Sequence, residues 1–162
     1  MIKETFTNFA QALRCDWKQC LLQSLVAAAA IFIVLLVLTV EEAVIVASIG
    51  ATAFIVFAIP SSPTAKPRNV IGGHFTGILA GSLCALIPQE RTMIAILIYA
   101  LSVGITMFIM ILSETEHPPA AGTALGIAIS GFSLYVTVTM VISVLVLSLI
   151  HYLFKDYLID LC

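Results

Sequence analysis

Two polar interruptions in an apolar chain combine His, Pro and small residues. The first begins with GATAF at Gly50–Phe54 and continues through PSSPTAKPRNVIGGH to His74, and the second is HPPAAGTAL at His117–Leu125. The flanking sequence is apolar enough to lie in a bilayer, where polar groups are costly unless they line a cavity or are buried in protein. These two segments are therefore the candidates for a functional site.

The first expected chemistry is binding of a small anion at helix starts. Asn69 is expected to cap one helix, and Pro118 and Pro119 are expected to open a second, shorter helix. Each helix start would present unpaired amides and about half a positive charge. The first set of amides comprises Val70, Ile71, Gly72 and Gly73, and the second comprises Ala120, Ala121 and Gly122. The competing interpretation is that the prolines only fold a tight turn.

The histidines add a second kind of chemistry, because an imidazole donates hydrogen bonds and titrates within the physiological range. His117 stands at an intramembrane helix start, where it could contact an anion or carry a proton. His74 lies one turn into a helix, and it could equally bond the backbone of a neighbouring helix. Proton-coupled movement of an anion is the mechanism that both residues would suit.

A short internal echo relates the two segments. Gly50–Phe54 (GATAF) resembles Ala121–Leu125 (AGTAL), which pairs Thr52 with Thr123 as candidate binding residues. Inverted repeats of this kind build transporter sites from paired short helices. The match between GATAF and AGTAL predicts such a repeat.

The charged residues near these segments have alternative uses. Arg68 is a candidate anion contact, whereas it and Lys66 could instead orient the protein or anchor lipid headgroups. Glu114 and Glu116 would form a solvated mouth or a proton relay, and their repulsion of anions favours the mouth.

An enzyme is the class that the sequence supports least. It contains no nucleophile elbow, no HExxH and no Gly-rich phosphate loop. The cysteines, which form no CxxC pair, are Cys15, Cys20, Cys84 and Cys162. We therefore predict no catalytic residues, no metal site and no cofactor.

Composition indicates an integral membrane protein. The 162 residues are 61% hydrophobic and only 10% charged, against roughly 25% charged in soluble domains. A formal net charge of -2 without a basic stripe excludes nucleic acid as a partner.

Hydrophobic runs predict an all-α polytopic membrane helix bundle of four to five spans plus a short or re-entrant half-helix. Between the second and third segments, PSSPTAKPR is expected to be a stiff extended loop. The second segment is expected to be tilted or broken, and Gly131–Ser133 should separate the half-helix from the last span. The predicted segments are 20–40, 43–59, 70–87, 92–112, about 118–130 and about 132–152.

Glycines at every fourth position of the third segment, Gly73, Gly77 and Gly81, predict close contact with another helix. Packing within the subunit, as also for Gly122 and Gly126, competes with use as a homo-oligomer seam. A dimer is the first expectation for the oligomer.

Basic residues predict the orientation. Five precede the first span or lie in the second connection, and Arg91 alone marks the opposite side. We therefore expect residues 1–19 to be a cytoplasmic segment, 20–153 the transmembrane domain, and 154–162 a short tail. The bacterial inner membrane is the expected location. The side of the tail depends on whether the half-helix crosses or returns.

At these motifs the sequence resembles the HPP family of integral membrane proteins, named for the tripeptide at His117-Pro118-Pro119. PRNVIGGH, ending at His74, precedes HPPAAGTAL in the order that is usual for the family. The order Ala121-Gly122 and the presence of Thr64 depart from the commonest pattern. The resemblance implies a compact multi-helix membrane domain.

The resemblance also implies a function, because plastid and cyanobacterial members are associated with nitrite transport. The leading hypothesis is a transporter or channel for a small inorganic anion, with nitrite first. The alternative is a non-transporting scaffold or sensor module that acts through a partner. Residues expected at the substrate are His117, Pro118, Pro119, Asn69, His74, Arg68, Gly72, Gly73, Thr52 and Thr123.

Overall fold

The computed structural model describes residues 17–35 and 43–161, and this part of the chain is helical with no strand. A 3-10 turn at Pro63–Ala65 connects the second and third helices. The helices are α1 Trp17–Leu35, α2 Ala43–Ala58, α3 Pro67–Ala85, α4 Thr92–Leu112, α5 Pro119–Ser130 and α6 Leu134–Phe154. The all-α helix bundle predicted from the sequence is confirmed. The break between α5 and α6, at Gly131 with φ 85°, is confirmed as well.

Within the described residues, two helices are long and apolar enough to cross a membrane: α4 and α6, each of 21 residues. Both expose large apolar side chains, such as Leu97 and Phe108 on α4 and Leu149 on α6. Such surfaces suit contact with lipid. By contrast, α2 contributes Ile49, Val56 and other buried residues to the core. It is one continuous helix, so of the two alternatives, tilted or broken, the broken helix is wrong.

Contacts between connections define two ends of the bundle. At the first end, the Gln19 side chain donates to the Tyr157 carbonyl at 2.9 Å, and the Ser61 amide donates to Asp160 at 3.0 Å. At the second end, Gln89 donates to the carbonyl of Ala128 near the end of α5, at 3.0 Å. Helix α4 ends at the first end and α5 reaches the second end, so the segment from the end of α4 through α5 crosses the bundle rather than returning to the first end. The C-terminal residues therefore lie at the same end as the start of α1.

The proline-rich connection corrects two expectations. Asn69 does not cap α3: the helix begins at Pro67, with Lys66 as its N-cap residue. Proline is favoured at the first helical position because the amide it lacks would have no helical partner there. The connection is also not a stiff extended loop, since it folds into a 3-10 turn in which the Ser62 hydroxyl accepts from the Thr64 amide at 3.3 Å.

Glycines bring α3 into backbone contact with α5. A Cβ atom at Gly81 would lie 2.6 Å from the Ala124 carbonyl oxygen, and one at Gly77 would overlap the Ala120 carbonyl. The predicted packing within the subunit is confirmed. Because Gly77 lies about 15 Å along α3 from Pro67 at 1.5 Å per residue, α5 begins near the middle of the neighbouring helix.

Candidate functional site

Thr52 lies between two histidines in the interior of the bundle. Its Oγ1 atom is 2.8 Å from Nε2 of His74 and 3.0 Å from Nε2 of His117. The centroids of the two imidazole rings are 5.0 Å apart. All three side chains are at most 1% exposed. The two polar segments therefore meet, and they meet at one hydroxyl group.

A second line of hydroxyl groups continues from the other side of the His74 ring. Nδ1 of His74 is 2.8 Å from Oγ1 of Thr123, and that oxygen is 2.9 Å from Oγ of Ser48. The Ser48 hydroxyl donates to the carbonyl of Pro119 at 2.6 Å. Thr52 and Thr123, which the sequence echo paired, therefore contact opposite nitrogens of one imidazole.

The ring of His117 is anchored at its other nitrogen as well. Nδ1 of His117 donates to the backbone carbonyl of Thr64 at 2.8 Å. A carbonyl oxygen only accepts, so this nitrogen carries a hydrogen. We call the seven linked groups, from the Thr64 carbonyl to the Pro119 carbonyl, the polar chain. Its members are the Thr64 carbonyl, His117, Thr52, His74, Thr123 and Ser48, and it ends on the Pro119 carbonyl.

Local sequence explains why these groups converge. Ser48 and Thr52 are four residues apart on α2, so they lie on one face of the helix. Gly73 lets α3 approach the loop before α5, because a Cβ atom there would lie 2.7 Å from Cβ of His117. Sequence analysis missed Ser48, although its spacing from Thr52 was a usable signal. It also missed the Thr64 carbonyl, a backbone group that no side-chain pattern reveals.

The two prolines position the start of α5 rather than leave its amides free. Pro118 and Pro119 have no N–H, and the amides of Ala120 and Ala121 bond back to the carbonyls of His117 and Pro118 at 2.9 and 3.1 Å. At the start of α3, the Asn69 and Val70 amides likewise bond the Lys66 carbonyl. The expectation of unpaired amides is therefore wrong for Val70, Ala120 and Ala121.

The remaining predicted residues lie towards the first end of the bundle. The Asn69 side chain donates to the Glu116 carbonyl at 3.2 Å, and exposed Arg68 donates to the Ser113 carbonyl at 3.2 Å. A Cβ atom at Gly72 would lie 2.7 Å from the methyl group of Thr115. These residues fix the loop before α5 against α3, and they form no contact within the polar chain.

Two cavities adjoin the polar chain. One, of about 310 Å³, is lined by His117, Glu116 and Pro118 among others. The other, of about 590 Å³, is lined by Ser48 and Pro119 and also reaches Pro118. Both are lined mainly by apolar surface, and the larger one is an open groove. The polar chain thus connects one cavity at His117 with another at Ser48.

The fold and the site define an integral membrane helix bundle with a buried polar centre. The family described as "HPP, transmembrane region" matches residues 12–158, nearly the whole chain. The protein therefore belongs to the HPP transmembrane family, and it is an integral membrane protein.

Curated relatives add little about function. A Dictyostelium discoideum protein named only as a transmembrane protein is 34% identical over 88 residues, which are 54% of this chain and 31% of the relative. A second from the same organism is 36% identical over 92 residues, covering 54% of this chain and 29% of that protein. The chain thus spans about a third of the length of these relatives. No solved structure gives a significant match.

Proposed function

We propose that this protein transports a small inorganic anion, with nitrite as the leading candidate, and that it is a transporter rather than an enzyme. The observation that carries the proposal is the polar chain centred on Thr52, in which two histidines are buried within a membrane bundle. Buried polar groups in membrane proteins typically mark substrate or proton pathways. Sites at interrupted helices, such as the start of α5, are typical of transporters.

The place proposed for the anion is the cavity beside His117. His117 lines this cavity, Asn69 and Gly73 support the adjoining loop, and Arg68 lies at the first end with a positive charge for an approaching anion. Glu116 borders the same cavity, and its negative charge would repel an anion unless a positive group compensates that charge. This repulsion would restrict the cavity to small ions. Nitrite itself is proposed on the family resemblance.

Flux through liposomes tests this proposal. Purified protein reconstituted in lipid should raise the entry of nitrite above that of protein-free liposomes, and chloride, nitrate and formate define its selectivity. Heat-inactivated protein is the matched control for leak caused by reconstitution. Absence of flux for every anion would reject transport and would favour the scaffold or sensor module as the function.

Orientation is a further expected result. Lys66, Arg68 and Lys155 lie at the first end of the bundle, whereas Arg91 lies in the connection at the second. Because cytoplasmic loops are rich in Lys and Arg, we propose that the first end is cytoplasmic, in a bacterial inner membrane. A green fluorescent protein fused after Cys162 should fluoresce, and an alkaline phosphatase fused there should be inactive. The reverse pattern would show the opposite orientation.

Self-association is the next expected result, and we propose a homo-dimer. Gly50 on α2 has no heavy atom within 4 Å of its Cβ position, so this helix retains an open small-residue surface. Small residues let membrane helices approach closely. Native mass spectrometry from lipid nanodiscs should give twice 17.3 kDa. A mass of one chain in every lipid composition would rule the dimer out.

A further inference from the structure

The polar chain has more contacts than it has hydrogen atoms to turn those contacts into hydrogen bonds. Six contacts join its members in series between the carbonyl oxygens of Thr64 and Pro119, and all six are 2.6–3.0 Å long. Such distances are those of hydrogen bonds, each of which needs one hydrogen between its two heavy atoms. The two terminal carbonyls contribute no hydrogen.

Only five hydrogens are available when every side chain is neutral. A neutral imidazole carries one N–H, and a hydroxyl carries one O–H. The five side chains that share the six contacts are His117, Thr52, His74, Thr123 and Ser48. The shortage does not depend on the tautomer of either ring, because a change of tautomer moves a hydrogen without adding one. In the neutral state, one contact must therefore join two lone pairs.

The two carbonyls at the ends of the polar chain limit which contact can lack a hydrogen. His117 donates from Nδ1 to Thr64, so its Nε2 has only a lone pair to offer Thr52 when the ring is neutral. If Ser48 donates to Pro119 and Thr123 donates to Ser48, His74 donates from Nδ1, and its Nε2 also faces Thr52 as an acceptor. The one hydrogen of Thr52 then faces two nitrogens, with the Ser48 carbonyl a third acceptor at 3.0 Å.

We propose that the polar chain is a binding site for one proton, which His74 and His117 share through Thr52. With this proton on one Nε2, that nitrogen donates to the Thr52 oxygen while the Thr52 hydroxyl donates to the other ring, and all six contacts become hydrogen bonds. The proton passes between the rings when one Nε2–H transfers its hydrogen to Oγ1 and the hydroxyl hydrogen moves to the other Nε2. A second proton would place two positively charged imidazole rings with centroids 5.0 Å apart in the buried interior, and their repulsion limits the site to one proton.

The surroundings link this proton to an anion. Helices α2 and α5 face the rings with the hydroxyls of Thr52 and Thr123, α4 contributes Met110, and Glu116 shares the cavity beside His117. Lys66 and Arg68 at the start of α3 are exposed, and His151 of α6 bonds the Pro60 carbonyl instead. A lone positive charge in this interior is costly. Uptake of the proton together with an anion removes that cost, a step that rests on the proposed transport of an anion.

Nitrogen NMR tests the shared proton directly, since the chain contains only three histidines. The full chain is labelled with ¹⁵N-histidine, reconstituted in lipid bilayers and titrated from about pH 8 to about pH 5. We expect the signals of His74 and His117 to change together and to account for one proton per chain. Two independent protonations, or no protonation of either ring with or without nitrite, would overturn the proposal.

Variants of Thr52 distinguish the effect of the hydroxyl that links the two rings from an effect on folding. Thr52→Ser keeps the hydroxyl and should keep the joint titration, whereas Thr52→Val has a similar shape without it and should make the two rings respond separately. Joint titration in Thr52→Val would contradict the proposal. Where Thr52→Val does not reconstitute, Thr52→Ser and the parent still decide the proton count.

Nitrite added at a fixed pH distinguishes the proton site from the transport proposal. We expect it to raise the protonated fraction of the pair several-fold. A shared proton that does not respond to any anion would leave the proton site standing and count against anion transport. Nitrite flux without a shared proton would leave transport standing and overturn the proton site.

Discussion

Replacing His117 with alanine is expected to reduce nitrite flux by about tenfold or more, because two hydrogen bonds within a buried network are lost and Thr52 loses a partner. His117→Gln should behave differently. A glutamine amide donates and accepts but does not titrate, so this variant should keep part of the downhill flux and lose its stimulation by a pH gradient. Flux into liposomes, measured with and without an inward proton gradient, checks both results.

The matched control is His151→Gln. His151 is also buried in the bundle, but its Nε2 contacts the Pro60 carbonyl at 3.0 Å, outside the polar chain. This variant should assemble and should transport like the parent. If both His117 variants fold and transport like the parent with an unchanged response to pH, His117 has no functional role.

Adding one methyl group at Gly77 is expected to destabilise the protein strongly. The new Cβ of Gly77→Ala would overlap the Ala120 carbonyl, a backbone atom that moves only if α5 shifts. Overpacking of this kind costs about 1–3 kcal/mol, more than the roughly 1 kcal/mol by which alanine is favoured over glycine in a helix. Thermal unfolding in detergent should show a melting temperature several degrees below that of the parent.

Gly104→Ala provides the opposite case within the same bundle. No heavy atom lies within 4 Å of its Cβ position, so helix propensity alone should act and the melting temperature should stay the same or rise slightly. If Gly77→Ala were as stable as Gly104→Ala, the close approach of α3 to α5 would be wrong.

Sequence periodicity predicted the helices well because apolar runs and polar breaks mark the ends of membrane segments. The range Thr92–Leu112 agrees with α4 at both ends, and the break before α6 follows from Gly131, whose φ of 85° suits glycine. The start of α3 was predicted wrongly because Asn69 is a good capping residue. The helix begins two residues earlier, at Pro67, since proline is favoured at the first helical position.

The sequence predicted four side chains of the candidate site, but it did not predict the contacts that join them. Thr52, His74, His117 and Thr123 were all expected near a substrate, and the structure joins them in one chain of contacts. Sequence alone could not show that one hydroxyl serves both rings, since this depends on how α2, α3 and α5 pack. The expected role for free amides failed because the proline-led helix starts bond their own first carbonyls.

The most direct measurement is nitrite uptake by liposomes containing the parent, Thr52→Ser or Thr52→Val, with the outside made more acidic than the inside and protein-free liposomes subtracted. The hydroxyl oxygen of Thr52 contacts both histidines, so transport that uses the polar chain must depend on this hydroxyl. The parent and Thr52→Ser should both take up nitrite faster under the gradient, and correctly assembled Thr52→Val should not. Uptake by Thr52→Val equal to that of the parent, or no uptake by the parent, would contradict the account.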